Sequence, residues 1–166
     1  MKVQLSDYQH GWPVLFEREK SVLLDRLGPW LYGSIEHVGS TAVPGLKAKP
    51  IIDIMAGVKD LQSSVGAIEV LEGGGYCYYP YKAEVMHWFC KPAPEYRTHH
   101  LHLVPYGSTL WRERIKFRDI LRRNENVAEE YERLKVSLAR DLTNDRESYT
   151  TLKWPFIERV LREFAD

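Results

Sequence analysis

One acidic residue stands alone in a strongly apolar segment of the sequence. Asp53 lies within the run Ile-Ile-Asp-Ile-Met at residues 51–55, which has the composition of a buried strand. An unpaired buried carboxylate costs on the order of several kcal/mol, so Asp53 requires a metal ion, another cation or several hydrogen-bond donors. A carboxylate bonded to backbone amides or to Lys49 is the alternative without a catalytic role. We take Asp53 as a candidate catalytic residue and metal ligand.

A small polar turn precedes Asp53 in the chain. Gly39 has no Cβ, so a phosphate group can approach its backbone closely. Ser40 and Thr41 supply hydroxyl groups, and a short helix beginning there would present free N–H groups to an anion. Alone, this turn is typical of an ordinary helix cap. Combined with Asp53, it predicts a phosphate-binding turn formed by Gly39, Ser40 and Thr41, in which Ser40 is also a candidate catalytic residue.

The elements that must position these residues begin with a helix. Pro13 suits its first turn, and Gly28 followed by a proline suits its end. Residues 17–20 are charged and are expected to face solvent. The apolar positions that recur at helical spacing are Leu15, Val22, Leu23 and Leu27.

The middle of the chain, from about residue 34 to residue 105, is predicted to supply the strands. The segment before the Gly39 turn is one of them, and the segment with Asp53 is the next. A short helix is expected over residues 61–71. The predicted strands cover residues 34–38, 51–56, 76–81, 86–90 and 99–104.

The last part of the chain is predicted to be helical. Asn126 with Glu129 resembles a capping box that opens one helix, and a final helix over residues 148–164 carries a kink or break at Pro155. The segment 111–123 before them is rich in arginine and is interpreted as a solvated helix face, with contact to a nucleotide or a nucleic acid backbone as the alternative. These patterns together predict a single domain over residues 1–166 of the α+β class, with an α/β-like alternation.

Two long motifs resemble the signature of the GrpB family. They are Glu-His-Val-Gly-Ser-Thr-Ala-Val-Pro-Gly-Leu at residues 36–46 and Ala-Lys-Pro-Ile-Ile-Asp-Ile at residues 48–54. Segments 99–104, 117–122 and 131–135 match the later motifs of that family in the same order. The resemblance covers essentially the whole chain. It implies a nucleotidyltransferase-type mixed sheet flanked by helices, with a C-terminal helical section.

The resemblance also implies a type of site. Nucleotidyltransferases place Gly-Ser on a short helix and follow it with two acids at i and i+2 on one strand, which bind two metal ions. In this chain Gly39, Ser40 and Asp53 fit that pattern, whereas the second acidic position is occupied by Met55. The usual site with two Mg²⁺ ions is therefore incomplete.

Histidines stand where the nucleotidyltransferase pattern places a third acid. In a strand His100 and His102 share one face, and they would face Asp53 if this strand holds the third position. His37 is expected to join them. One carboxylate with imidazoles favours Zn²⁺ or Mn²⁺ over Mg²⁺, so we predict a divalent metal (Zn, Mn or Mg) held by Asp53, His37, His100 and His102. The alternatives are histidines that contact substrate or only support the structure.

Two further cations are candidate phosphate ligands. Lys49 precedes the strand of Asp53, and Arg97 precedes the histidines. The leading hypothesis is therefore a nucleotidyltransferase-like protein that binds a nucleoside phosphate or another phosphorylated small molecule. The alternatives are a non-catalytic protein that binds a nucleotide or another small molecule, and a metal-dependent phosphohydrolase.

The overall charge limits the partners. Lys+Arg and Asp+Glu both total 23, so no net field attracts nucleic acid or anionic lipid. No apolar run approaches the roughly 20 residues that cross a bilayer, and the first residues do not resemble a signal peptide. We expect a cytoplasmic protein without a membrane partner, and the sequence leaves a homodimer open.

Overall fold

In the described part of the chain, five strands form one mixed sheet, and the strand that carries Asp53 is one of its inner strands. A computed structural model describes residues 4–141 and 146–164. The spatial order is β1-β2-β5-β4-β3, in which β2 and β5 are parallel and the other neighbours are antiparallel. The strands are β1 (Leu31–Val38), β2 (Ile52–Val58), β3 (Cys77–Tyr79), β4 (His87–Ala93) and β5 (Tyr96–Pro105). This mixed sheet with its flanking helices confirms the predicted α+β class.

Among the residues that the structure describes, five α-helices and two short 3-10 turns accompany the sheet. The helices are α1 (Trp12–Leu27), α2 (Gly66–Glu72), α3 (Thr109–Arg123), α4 (Glu125–Asp141) and α5 (Arg146–Glu163), and the turns span Gly28–Trp30 and Ser40–Ala42. Within residues 4–141 and 146–164, none of the helices has both the length and the apolar composition that crossing a bilayer requires.

The buried face of α1 differs from the predicted one. Its boundaries are as expected, with Pro13 in the first turn and Gly28 after the end. The prediction that Leu15 and Val22 belong to the buried face is wrong, because they are 42% and 44% exposed. The helix instead buries a row at i, i+4, i+7, i+11 and i+15, a second stripe with the same helical period. The buried residues of α1 are Trp12, Phe16, Glu19, Leu23 and Leu27.

Glu19 is the charged member of that row. It was expected to face solvent, yet it is buried because two partners from outside the helix reach it. The Tyr76 hydroxyl donates to Glu19 Oε2 at 2.5 Å, and the Lys91 ammonium lies 2.6 Å from the same oxygen. Helical periodicity carries no information about partners on a sheet, which is why the burial of Glu19 was missed.

The two faces of the sheet pack differently, and this separation positions the site. Side chains alternate between the faces of a strand. Ile54 and Leu101 point to the face covered by α1 and α2, whereas Asp53 and Met55 point to the opposite face, over which α3 packs. The predicted pairing of His100 and His102 on the face of Asp53 follows the same alternation.

The start of one C-terminal helix corrects the predicted capping box. The capping box at Asn126 is wrong, because α4 begins at Glu125 and Asn126 lies inside it. Asn124 ends α3 instead, and its carbonyl accepts the N–H of Ala128. Helix α5 continues through Pro155 without a break. These helices close over the turn after β1, where Leu121 and Tyr131 form one apolar cluster with Val43 and Leu46.

Candidate functional site

Asp53 lies near the beginning of β2, between strands β1 and β5. Its partners in register are Val38 on β1 and His100 on β5. The Oδ1 atom of Asp53 lies 2.6 Å from Nε2 of His102, and the Asp53 side chain is 28% exposed. The carboxylate is therefore tied to the neighbouring strand and yet accessible from one side.

A chain of three polar groups runs from α3 to this carboxylate. Arg114 Nη1 donates to Nδ1 of His102 at 3.0 Å, while Met86 Sδ packs 3.4 Å from the same nitrogen. Because a guanidinium has no acceptor, the Nδ1 of His102 carries no proton, and its Nε2–H donates to Asp53. His102 is thus a neutral imidazole whose two ring nitrogens are both engaged.

The pKa values agree with this arrangement. Burial lowers the pKa of His102, and the charge of Arg114 lowers it further. Burial alone would raise the pKa of Asp53, but its contact with His102 and the nearby Arg114 outweigh burial and hold this pKa below its ordinary value. The site at neutral pH therefore combines an ionised Asp53 with an uncharged His102 and a cationic Arg114.

Gly39 packs directly against the second carboxylate oxygen. It adopts φ 72°, in the left-handed region, immediately before the 3-10 turn Ser40–Ala42. A Cβ built on Gly39 would lie 2.7 Å from Oδ2 of Asp53, so no side chain fits there without displacing the carboxylate. Gly39 itself is exposed and Ser40 half-buried. The structure thus brings Gly39 and Asp53 together, as the sequence motif implied.

Thr41 and His37 are turned away from this carboxylate. The hydroxyl of Thr41 donates to the carbonyl of Ile51 and accepts from Nε2 of His37. His37 points to the opposite face of the sheet, where its ring stacks on Phe16 of α1 with centroids 4.8 Å apart. Burial lowers the pKa of His37 to about 4. The structure therefore does not bring His37 together with the other predicted metal ligands, because it lies one residue out of phase with the site-facing side of β1.

His100 is the histidine with an unused ring nitrogen at the site. Its Nε2 is buried and has no hydrogen-bond partner in the described part of the chain, and its ring centroid lies 5.1 Å from that of Trp88. Burial lowers the pKa of His100 to about 3. Of the four predicted metal ligands, Asp53 and His100 are consequently the two whose side chains could still hold a metal ion. Within residues 4–141 and 146–164, no group of three or more His, Cys, Asp and Glu side chains is placed to do so.

Met55 closes the position of the missing second acid. Its side chain is 0% exposed and lies in the apolar cluster that also contains Val38, Trp88 and Trp111. Its register partners are Glu36 on β1 and His102 on β5. The position at which a nucleotidyltransferase would hold a second carboxylate is therefore occupied by a fully buried apolar side chain.

The predicted cations Arg97 and Lys49 flank this site. The guanidinium of Arg97 lies over Trp88, 5.2 Å from the ring centroid, and its Nε donates to the carbonyl of Pro94. Lys49 Nζ lies 4.8 Å from the centroid of the Tyr149 ring. Both cations are close enough to His100 to lower its pKa, after the larger effect of burial.

Three of the five arginines of α3 contact other parts of the domain, which corrects the interpretation of this segment as a fully solvated surface. Arg114 contacts His102, Arg118 pairs with Glu36 at 2.8 Å, and Arg122 donates to the carbonyl of Ala42 at 2.9 Å. Their spacing of four residues is the signal that places them on one helical face. The zero net charge of the whole chain gives no indication of these local ion pairs and hydrogen bonds.

Comparison with known proteins agrees with this architecture. The family model described as "GrpB protein" matches residues 2–163. The Glutamate-rich protein GrpB of Alkalihalophilus pseudofirmus is 38% identical over 98% of this chain and 95% of its own length. A UPF0157 protein of Deinococcus radiodurans is 36% identical over 79% of this chain and 67% of its own length. The crystal structure of the conserved protein GrpB from Enterococcus faecalis superposes with a TM-score of 0.85 at 29% identity, covering 98% of this chain and 100% of that one. With a family match over nearly its whole length and the same fold, this chain belongs to the GrpB family.

Proposed function

We propose that this protein binds a nucleoside phosphate, or another phosphorylated small molecule, at the site formed by Gly39, Ser40, Asp53 and His100. The observation that carries the proposal is the excess of cations around one carboxylate. Arg114 is linked to Asp53 through a neutral His102, while Lys49 and Arg97 act on His100 beside it. A phosphate at the exposed Gly39 turn would balance these charges.

The same geometry favours a binding protein over a transferase of the usual two-metal type. Two-metal transfer requires a second carboxylate next to Asp53, and Met55 occupies that position with no exposed surface. His102 is engaged on both ring nitrogens, so a metal ion would rely on Asp53, His100 and the phosphates of the ligand. Nucleotidyl transfer and phosphate hydrolysis are therefore the less favoured activities, and both are open to direct assay.

Thermal shift measurements test the binding proposal. AMP, ATP and inorganic phosphate would each be added with no metal and with Mg²⁺, Mn²⁺ or Zn²⁺. A ligand that binds the folded state raises the stability by RT ln(1 + [L]/Kd), so we expect at least one phosphorylated compound to raise Tm. Arg97→Gln should weaken its affinity about tenfold, the loss expected for one charge-assisted contact. Arg112→Gln, which removes an exposed arginine of α3, is the matched control.

The outcomes separate the candidate functions. If no phosphorylated compound shifts Tm, or if Arg97→Gln binds as the wild type does, the proposed phosphate site is wrong. Release of pyrophosphate or phosphate from labelled ATP would be measured at saturating ligand. Metal-dependent release that disappears in Asp53→Asn would identify an enzyme, whereas saturable binding without release would identify a binding protein.

A further inference from the structure

Three lysines from separate elements converge on two tyrosines beside the proposed site. We call Lys49, Lys135 and Lys153 the lysine cluster. The Nζ atoms of Lys49 and Lys153 lie over the ring of Tyr149, 4.8 and 4.9 Å from its centroid, and Lys135 Nζ lies 5.1 Å from the centroid of Tyr131. These lysines come from the loop before β2, from α4 and from α5, so the fold itself brings the like charges together.

Lys135 is the most enclosed member of the cluster. Its side chain is 1% exposed, and its Nζ atom donates to the carbonyl of Lys47. Burial lowers the pKa of Lys135 to about 6, with further lowering by Lys153 and Lys49, while Glu132 acts in the opposite direction. Within the described residues, Glu132 is the carboxylate that acts on Lys135, and it is already held by the N–H of Lys47 at 2.7 Å.

A buried hydroxyl in the same cluster lacks a partner. Tyr149 is 0% exposed, and its hydroxyl has no hydrogen-bond partner in the described part of the chain. Leaving such a group unpaired costs about 1–3 kcal/mol. An anionic oxygen bound among the lysines would accept from this hydroxyl and would also neutralise the ammonium groups. Two independent features, the converging cations and the unpaired hydroxyl, therefore point to the same kind of ligand.

Lys49 connects this cluster to the carboxylate site. It lowers the pKa of His100 at one end and that of Lys135 at the other, in each case after burial as the larger cause. Its position in the chain, four residues before Asp53, allows one extended ligand to reach both places.

We propose that the lysine cluster binds the outer phosphate groups of a polyphosphorylated ligand whose inner phosphate lies at the Gly39 and Asp53 site. This inference rests on the proposed function and names its ligand class, a nucleoside diphosphate or triphosphate. Tyr149 donates its hydroxyl to an outer phosphate oxygen, and Lys135 is held as an ammonium by the bound phosphate. Removing one lysine then lowers the affinity for polyphosphates and leaves the affinity for monophosphates unchanged.

Titration calorimetry with AMP, ATP and inorganic tripolyphosphate tests this assignment. Lys153→Gln is the main variant because Lys153 is only half-buried, so its loss does not threaten the fold. We expect this variant to lower the affinity for tripolyphosphate and ATP about tenfold and to change the affinity for AMP by less than twofold. Lys59→Gln, an exposed lysine just beyond the far end of β2, makes the same change in net charge and should bind all three ligands as the wild type does.

Proton uptake supplies a second readout. At pH 7.5 an uncharged Lys135 takes up a proton when the phosphate binds, so the binding enthalpy of tripolyphosphate should depend on the ionisation enthalpy of the buffer. Lys135→Met should reduce that dependence, because the amine that takes up this proton is gone. Uptake that persists unchanged in Lys135→Met would overturn the role given to this lysine.

The outcomes distinguish this inference from the proposed function. If AMP and ATP bind equally and Lys153→Gln changes neither, the lysine cluster is overturned while the phosphate site at Asp53 stands. If tripolyphosphate binds, with lower affinity for Lys153→Gln, while no nucleotide binds, the assignment of the lysine cluster stands and the nucleotide function is wrong. If none of the three ligands binds the wild type, both proposals are wrong.

Discussion

Replacing Met55 with aspartate would recreate the acidic pair of a nucleotidyltransferase in the sequence, but we expect it to destabilise this protein strongly instead of activating it. Met55 is 0% exposed and packs in an apolar cluster beneath α3. The new carboxylate would share the strand face of Asp53 and lie opposite Glu36, so two acids would act on it. We expect the folded state to accept it only when it is protonated.

The magnitude follows from two contributions. Truncating a fully buried methionine costs about 2–5 kcal/mol. Keeping an aspartic acid protonated at pH 7 costs about 1.4 kcal/mol per pH unit above its ordinary pKa of roughly 3.9, which is about 4 kcal/mol. Ionisation with local rearrangement limits the sum, so we expect Met55→Asp to lose about 4–6 kcal/mol at pH 7. A domain with a total stability of about 5–15 kcal/mol would be severely weakened.

Urea unfolding followed by tryptophan fluorescence measures this loss, since three of the five tryptophans are buried. Met55→Leu is the matched control and should lose less than about 1.5 kcal/mol. A carboxyl group that is protonated in the folded state favours folding as the pH falls. The deficit of Met55→Asp should therefore shrink by up to about 1.4 kcal/mol per pH unit between pH 7 and pH 5.

A small, pH-independent loss would refute this reasoning. If the free energy of unfolding of Met55→Asp at pH 7 lies within about 1.5 kcal/mol of the wild-type value, the position is solvated and accommodates a charged acid. Metal-dependent nucleotidyl transfer by that variant would then be the next measurement.

Three further predictions follow from contacts described above. Gly39→Ala should lower the free energy of unfolding by about 1–3 kcal/mol more than Gly45→Ala does. Both glycines have positive φ, but only at Gly39 would a Cβ press against a carboxylate. Equal losses in urea unfolding would show that this clash does not contribute. Lys91→Met should lose about 3 kcal/mol of stability and Lys91→Arg much less, since the first variant leaves Glu19 buried without its cation. Equal stabilities of the two variants in chemical denaturation would contradict this. Burial lowers the pKa of His100 to about 3, so the unfolded chain takes up a proton on this ring before the folded chain does, and the wild type loses stability as the pH falls from about 7 to 4. His100→Gln should reduce the slope of stability against pH by up to about 1.4 kcal/mol per pH unit. Parallel stability curves for the two proteins would show that burial does not perturb this ring.

The features set by local pattern were predictable from the sequence. Alternation along β5 places His100 and His102 on one face, and the apolar run around Asp53 is a central strand as expected. The boundaries of α1 follow from Pro13 and Gly28. Each of these depends on side-chain periodicity or backbone restriction within one segment, which a single sequence displays.

The features that failed depend on how segments meet. His37 lies out of phase with the site because the register of β1 against β2 determines which of its side chains face Asp53, and register is set by packing between strands. Arg114 was placed in solvent because its partner His102 lies on a strand whose position over α3 was unknown. Buried charges such as Glu19 are the hardest to predict, since their partners come from other elements.

The arginine row of α3 has a consequence for the edge of the sheet. Strand β1 is an outer strand of eight residues, whereas the other outer strand, β3, has three. A long outer strand exposes backbone groups that can recruit a strand from another molecule. Arg118 donates to the carbonyl of His37 at 3.1 Å and so occupies one of these groups. The helix that holds the site histidine thereby also covers one hydrogen-bonding group of this outer strand, which a strand from another molecule would need.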